Sequence, residues 1–401
     1  MSWPQRPLDE VADFCLGKML DQKKNRGELM PYLANVNVRW GEFDFENLRE
    51  MRFEHGELER YGLKNGDIVM CEGGEPGRCA IWKDQVPGMM LQKALHRIRP
   101  HDCLDSRFLY YSFLKKGKNS ELAGYFTGST IKHLPREKLA LVKVEIPPLA
   151  AQRKIADILS AYDELIETNR RRIALLEQAA RMLYREWFVH FRFPGHEHVK
   201  IIDGLPEGWQ RRYLADEVST QYGHTATASE EVIGPKFLRG MDINKQSFID
   251  WSTVPTCPEQ GLDFEKYSLE PGDLLVIRMA DPGKVAIVEK QVRAVFASYL
   301  VRLKINDQSE TPPIYLFLTR TDKAYQGFIG AASGGSTRKS ASAPLLTDFH
   351  FILPPKSLLR LFVEQVQPVR ELINRLVDQS AAAAQARDLL LPRLMSGEIA
   401  V

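Results

Sequence analysis

Two short loops combine flexible backbone, hydroxyl groups and cationic side chains. The first reads Gly128-Ser-Thr-Ile-Lys132-His133 and the second reads Gly335-Ser-Thr-Arg338-Lys339-Ser340. Glycine lets a backbone approach a ligand closely, hydroxyls hydrogen-bond to phosphates or base edges, and Lys or Arg neutralises phosphate charge. Either loop alone also fits an ordinary polar surface turn. Their recurrence favours binding, and the candidate contacts are Ser129, Thr130, Lys132, His133, Ser336, Thr337, Arg338 and Lys339.

Other cationic side chains lie beside turns or at the ends of short apolar runs, where a phosphate group could reach them. Arg78 and Lys284 occupy matching positions directly after a Pro-Gly turn, and contact with DNA or simple exposure explains them equally well. A solvated surface explains each of the others just as simply. The complete set of these cations is Lys23, Lys24, Arg26, Arg78, Arg239 and Lys284.

Signatures of catalysis and of metal binding are missing from the sequence. There is no GxxxxGK[ST] phosphate loop, no GxGxxG after a strand, no HExxH and no GxSxG elbow. The Pro-Pro pairs lack the Asn or Asp and the aromatic neighbour of an amino-methyltransferase. His196 and His198 lie in a Pro/Gly segment that suits a solvated turn better than a metal site. Five cysteines without a CxxC pair argue against a tetra-thiolate zinc site. We therefore expect no catalytic or metal site in this chain.

Composition indicates an ordinary globular protein. The 401 residues include 54 Lys plus Arg and 52 Asp plus Glu, for a net charge of +2. This balance argues against a basic tail or an acidic disordered protein, and the length suits two or three domains. Neither a secretory signal nor an apolar run of ~20 residues is present, which predicts a soluble cytoplasmic protein.

The elements that must position these groups occur twice. Residues 61–84 and 267–290 lie 206 positions apart and share eight of 24 residues, where average composition predicts about one or two. Ile146-Pro-Pro148 recurs as Leu353-Pro-Pro355, and the two loops recur with it, at an offset of 207. In each copy a Gly-Asp turn and a Pro-Gly turn each precede a short apolar run, which predicts strands joined by loops. The chain is therefore predicted to be a tandem duplication.

Each copy closes with a long amphipathic helix. After Pro148, apolar residues recur every seven positions in two rows over about 34 residues, with one polar member, Asn169. This is the a/d seam of a coiled coil. The second seam is weaker because it contains Ser380 and Arg387, and Pro392 is expected to end that helix. The residues predicted to pack between the helices are Leu159, Tyr162, Ile166, Ile173, Leu176, Leu183, Val369, Ile373, Leu376 and Leu390.

Together these patterns predict an α+β fold with two tandem mixed α/β domains, each followed by a long helix. Two equivalent helices in one chain pack most economically on each other, as an antiparallel coiled coil with one domain at each end. At ~1.5 Å per residue, a helix of about 34 residues is a spacer of ~50 Å. The predicted segments are domain one (1–148), helix one (149–193), a linker (194–208), domain two (209–355) and helix two (356–401).

This combination resembles the specificity subunits of type I restriction-modification systems, the HsdS family. The resemblance rests on the duplication, on the two Asp/Glu-Pro-Gly-[Lys/Arg]-x-Ala-Ile stretches and on two typical segments. One is Ile146-Pro-Pro-Leu-Ala-Ala-Gln-Arg-Lys-Ile-Ala156, continuing to Leu-Tyr-Arg-Glu-Trp-Phe188; the other is the ending Leu-Leu-Leu-Pro-Arg-Leu-Met-Ser-Gly-Glu-Ile399. The match covers nearly all of the chain, and the motifs are specific as a set.

The resemblance implies a non-catalytic DNA-binding subunit. In that family each globular part is a target recognition domain that reads one half of a split DNA sequence. The helices act as a ruler and dock two methyltransferase subunits, which motor-nuclease subunits join, so S-adenosylmethionine, ATP and Mg²⁺ would serve the partners. Residues 36–59 and 243–265 differ between the copies, which predicts an asymmetric target. Two alternatives stay open: a fragment of a fused methyltransferase-nuclease, and a coiled-coil scaffold that binds no DNA.

Overall fold

The computed structural model describes residues 3–21, 25–244, 246–333 and 339–401. The chain divides into two compact units. Unit 1 contains residues 1–165 and 383–401, and unit 2 contains residues 166–382. Both boundaries fall inside a long helix, so each unit contains part of both helices.

Unit 1 is built from short strands separated by turns rich in Gly, Pro and Asp. The strands are β1 (Gln5–Pro7), β2 (Ala12–Leu16), β3 (Glu28–Leu33), β4 (Arg49–Phe53), β5 (Ile68–Cys71), β6 (Cys79–Ile81), β7 (Met90–Leu91), β8 (Leu95–Pro100) and β9 (Lys143–Glu145). The helices are α1 (Leu58–Tyr61), α2 (Ser106–Lys118), α3 (Arg136–Ala140) and the first part of α4 (Leu149–Phe188). Helix α2 begins at Asp105, whose carboxylate caps the backbone N–H groups of Arg107 and Phe108.

The centre of unit 1 is an antiparallel sheet with the strand order β2-β8-β5-β6. Strand β5 is apolar along its whole length because both of its faces are covered. Ile68 and Met70 pack in the cluster that contains Phe108 of α2, whereas Val69 and Cys71 pack in a second cluster that contains Trp82. This alternation is the period of two that a strand imposes. Strand β3 pairs with β4 and, in parallel, with β7, and β1 pairs with β9.

Unit 2 repeats this arrangement. Its strands are β10 (Ile201–Ile202), β11 (Leu205–Pro206), β12 (Gln210–Tyr213), β13 (Val218–Tyr222), β14 (Lys236–Leu238), β15 (Leu274–Ile277), β16 (Val285–Ile287), β17 (Ala294–Phe296), β18 (Leu300–Ile305) and β19 (His350–Leu353). Its helices are the rest of α4, then α5 (Leu214–Glu217), α6 (Gly240–Ile243), α7 (Phe264–Tyr267), α8 (Pro313–Thr321), α9 (Lys323–Ala332), α10 (Ala343–Thr347) and the first part of α11 (Lys356–Met395).

The sheets of the two units correspond closely, although β4 of unit 1 has no counterpart among the described strands of unit 2. The order β13-β18-β15-β16 in unit 2 matches β2-β8-β5-β6 in unit 1, β14 pairs in parallel with β17 as β3 does with β7, and β12 pairs with β19 as β1 does with β9. Strand β10 forms a small hairpin with β11 in the segment predicted as a linker. The predicted duplication is confirmed by this shared topology.

The two long helices run antiparallel within each unit. In unit 1, Ile155 and Leu159 near the start of α4 share a buried cluster with Leu391 and Leu394 near the end of α11. In unit 2, Ile173 of α4 packs against Ile373 of α11. Both helices contain 40 residues, which is more than the about 34 residues of the predicted seam and slightly fewer than the predicted segments 149–193 and 356–401. The predicted antiparallel helix packing is confirmed.

The residues predicted to pack between the helices lie at or beside these clusters to different degrees. The buried ones are Leu159, Ile173, Ile373 and Leu376. Those partly buried against the clusters are Leu176, Leu183, Val369 and Leu390. Tyr162 and Ile166 are half-buried.

Polar members of the seam face each other, which explains why the second seam looked weak. Asn169 is fully buried and donates to Gln379 Oε1 at 3.1 Å and to Ser380 Oγ at 3.2 Å. The Arg387 guanidinium forms an ion pair with Asp163 of α4. Each polar residue of the seam in one helix thus contacts a polar residue in the other helix. Such a paired polar layer fixes helix register at some cost in stability.

The prediction that Pro392 ends the second helix is wrong. Helix α11 continues to Met395, and Ser396 N–H still donates to the Pro392 carbonyl at 3.0 Å. Leu394 and Met395 are buried in the unit 1 core. Their burial offsets the backbone hydrogen bond that proline removes.

Across the described residues, no helix has both the length and the apolar character needed to cross a membrane.

Candidate nucleic-acid interface

In unit 1 the Gly-Ser-Thr loop meets the loop between β5 and β6, which contains the Pro-Gly turn, at the end of strand β5. Thr127 and His133 exchange two backbone hydrogen bonds of 2.8 and 2.9 Å, which close the loop 128–132. His133 also forms a β-bridge with Gly73, directly after β5. Leu134 N–H donates to the Glu72 carbonyl at 2.7 Å. Residues some 60 positions apart in sequence therefore form one surface.

Glycine and a buried histidine hold this loop in shape. Gly128 has a φ of +89°, and a Cβ there would lie 2.2 Å from the Ile131 carbonyl oxygen. His96 is fully buried, and its Nε2 lies 2.8 Å from the carbonyl oxygen of Leu134, to which the N–H can donate. Burial lowers the pKa of His96 below its usual value because the charged form would lose its hydration. A neutral histidine thus supports the end of the loop.

Unit 2 builds the same junction at the equivalent positions. Met279 forms a β-bridge with Ser340, as Gly73 does with His133. Ala341 N–H donates to the Arg278 carbonyl at 2.8 Å, and Ala280 N–H donates to the Lys339 carbonyl at 3.0 Å. The segments that directly follow the two Gly-Ser-Thr motifs, 133–134 and 339–341, therefore pair with the same part of the fold in both copies.

A groove beside the unit 1 loop combines aromatic, hydroxyl and cationic groups. Its volume is about 580 Å³, and Thr130 and Lys132 line it together with Trp40 and Phe126. Trp40 Nε1 donates to Glu75 Oε1 at 2.7 Å, which fixes the indole ring. Aromatic faces suit base stacking, and the hydroxyl and ammonium groups suit phosphates. Sequence reasoning missed Trp40 because it is remote from this loop in sequence, and it overlooked Phe126 although that residue lies just before the loop.

The predicted contact residues fall into three groups. Those exposed on the surface are Arg26, Ser129, Thr130, Lys132, His133 and Lys339. Those outside the described residues are Lys23, Lys24, Ser336, Thr337 and Arg338. Those that are half-buried are Arg78, Arg239 and Lys284.

Two of the half-buried cations already have partners inside their own unit. Arg78 pairs with Glu75 at 2.9 Å and donates to the Asn35 carbonyl at 3.2 Å. Arg239 makes a two-pronged contact with Asp242, with bonds of 3.1 and 2.8 Å, and the hydrogen bond to that carboxylate raises the pKa of Arg239. These arginines brace their loops and keep few donors for a ligand.

Lys284 differs from both arginines because it lines a small cavity of about 240 Å³ together with Glu177 and Arg181 of α4.

The described part of the chain contains no group of three or more His, Cys, Asp or Glu side chains placed to hold a metal ion. The side chains of His196 and His198 are exposed in a short 3₁₀ turn.

Comparison with known proteins agrees with this geometry. Residues 2–178 match the family model described as the type I restriction modification DNA specificity domain. The chain is also 26% identical to the MjaIX specificity subunit of Methanocaldococcus jannaschii, a type I restriction enzyme subunit, over 100% of this chain and 94% of the relative.

The chain is similar along its whole length to the specificity subunits of type I restriction-modification systems.

Two further similarities also extend along the whole chain. It is 22% identical to the HindI specificity subunit of Haemophilus influenzae, with 98% of this chain and 100% of the relative aligned. The crystal structure of a type I restriction-modification S subunit from M. genitalium superposes with a TM-score of 0.57 at 15% identity, covering 98% of this chain and 96% of that one. At that identity the superposition supports the fold alone, and the fold agrees along the full length.

Proposed function

We propose that this specificity subunit reads a bipartite, asymmetric DNA target, one half with each recognition domain (1–148 and 209–355). The observation that carries the proposal is a junction that occurs once in each unit. There, the segment after β5 or β15 pairs with the residues that follow the Gly-Ser-Thr motif. The Gly73–His133 and Met279–Ser340 bridges are equivalent, yet the side chains presented beside them differ. One scaffold with two sets of side chains suits two different half-sites.

The subunit would have no catalytic activity of its own. Methyltransferase subunits would dock on α4 and α11, motor-nuclease subunits would join them, and S-adenosylmethionine, ATP and Mg²⁺ would bind to those partners. The complex would work in the cytoplasm, where its DNA lies. Support for docking comes from exposed apolar side chains on the long helices, such as Leu175 and Met182 on α4 and Leu389 on α11, which are 66%, 56% and 65% exposed.

The test is a comparison of the isolated chain with the chain co-purified with a methyltransferase subunit of the same system. Filter binding across a salt series should show DNA binding that weakens steeply as salt rises, because phosphate contacts release counterions. Methyl transfer from S-adenosylmethionine should require the partner. Methylation by the isolated chain would favour a fused enzyme fragment, and the absence of DNA binding by the complex would favour a protein scaffold.

A further inference from the structure

The residue directly after the central strand differs in charge between the two units. In unit 1 it is Glu72, which follows β5, and in unit 2 it is Arg278, which follows β15. The backbone around both residues is the same. Glu72 N–H donates to the Ala94 carbonyl at 2.9 Å, and Arg278 N–H donates to the Tyr299 carbonyl at 3.0 Å. One structural position therefore presents a carboxylate in one domain and a guanidinium in the other.

This position lies in the candidate interface of each domain. The carbonyl of Glu72 accepts the hydrogen bond that fixes the Gly-Ser-Thr loop of unit 1, and the carbonyl of Arg278 accepts its counterpart in unit 2. Both side chains are half-buried, so they are accessible yet restricted. Fixed loops at a strand end hold such side chains in place at little entropic cost on binding.

The guanidinium of Arg278 is oriented by its surroundings and has no polar partner among the described residues. Its guanidinium stacks over the Tyr222 ring at 4.8 Å from the ring centroid. Its Nε is buried without a hydrogen bond, and within the described residues its terminal nitrogens form no hydrogen bond or ion pair. Tyr299, whose carbonyl holds Arg278, is 59% exposed beside it. Arg78 and Arg239, in contrast, are occupied by carboxylates of their own loops. An arginine whose fork of donors is free and whose plane is fixed is suited to bidentate recognition.

We propose that this position discriminates between bases in both half-sites, with Arg278 reading a guanine in the second and Glu72 reading a cytosine in the first. This inference rests on the proposed function. In the major groove, the N7 and O6 atoms of guanine match the two donors of arginine, and the N4 amino group of cytosine donates to a carboxylate. The side chains exchange roles because the two bases present opposite hydrogen-bonding groups.

The test uses the subunit in complex with its methyltransferase, with methylation rates measured on DNAs in which each target base is replaced in turn. Arg278→Lys keeps the positive charge but loses the bidentate fork. It should reduce discrimination at one guanine of the second half-site by about 5- to 150-fold. Glu72→Gln should relax one cytosine of the first half-site. Each variant should leave the other half-site unchanged.

Lys304→Gln is the matched control for the second domain. Lys304 lies toward the far end of β18 from Tyr299 and pairs with Glu270, so its substitution changes surface charge away from the loops. It should leave specificity unchanged at every base. Melting temperatures of all variants near that of the wild type would show that the domains remain folded.

Three outcomes would overturn the inference while leaving the proposed function standing. The first is unchanged specificity in both variants, and the second is a change of specificity in the opposite half-site. The third is an equal loss of binding affinity on all DNAs for Arg278→Ala, with a salt slope smaller by about one unit. The last result would mean that Arg278 contacts only phosphate. If the unsubstituted complex methylates no specific sequence, the proposed function itself fails.

Discussion

Removal of one heptad from each long helix should shorten the gap between the two half-sites by about three base pairs. The deletions are residues 164–170 of α4 and 379–385 of α11. They remove Asn169 together with both of its partners, Gln379 and Ser380, so no polar group is left buried without a partner. They also lie between the Asp163–Arg387 ion pair and the cluster around Ile173, which both remain.

The size of the effect follows from helix geometry. Seven residues at a rise of ~1.5 Å shorten each helix by ~10.5 Å, which equals about three base pairs of B-form DNA at ~3.4 Å each. Seven residues also make nearly two full turns, so the a/d seam keeps its phase to within about 20°. The half-site sequences should stay the same, because the recognition loops are untouched.

The assay is methylome sequencing of cells that express the shortened subunit with its methyltransferase. A matched control replaces the exposed residues Glu164, Thr168 and Gln385 of the same two segments by alanine without deletion, and its gap should equal that of the wild type. An unchanged gap in a folded, active deletion variant would refute the idea that these helices measure the distance.

Three further predictions concern the loop and the helix pair. Because the pKa of His96 is lowered in the folded state, the folded protein binds fewer protons than the unfolded one below about pH 6.5. The free energy of unfolding should therefore fall by up to ~1.4 kcal/mol per pH unit below that pH until the folded pKa is reached. Urea denaturation at several pH values should show a flatter dependence of this free energy on pH for His96→Gln. Gly128→Ala should cost about 1–3 kcal/mol at its φ of +89° and weaken binding to the first half-site only, as competition assays with single half-site variants would reveal. Arg387→Ala leaves the carboxylate of Asp163 without its ion pair and should lower the free energy of unfolding by about 1–3 kcal/mol in urea.

Features encoded locally could be predicted from the sequence. The duplication is visible because a constant offset aligns turn residues and apolar runs, and the helix pair is visible because a heptad repeat needs only neighbouring residues. The end of the second helix was placed too early because Pro392 was judged by local propensity, whereas burial of Leu394 and Met395 extends the helix. Tertiary packing outweighed the local preference there.

The binding surface could be predicted only in part. The recurrence of Gly-Ser-Thr drew attention to two loops, but the pairing of the residues after them with the segments after β5 and β15 joins positions some 60 residues apart. No periodicity records such a contact. The same limit hid Arg278, whose orientation depends on stacking over Tyr222, and it left the ion pairs of Arg78 and Arg239 unforeseen.

The most direct test of two non-equivalent recognition domains is the methylation motif itself. Long-read methylome sequencing of cells that express this subunit with its methyltransferase reports every modified adenine and its sequence context. The account predicts two different short specified sequences separated by a gap of fixed length and unspecified bases. A single uninterrupted motif, or a palindrome with identical halves, would contradict it.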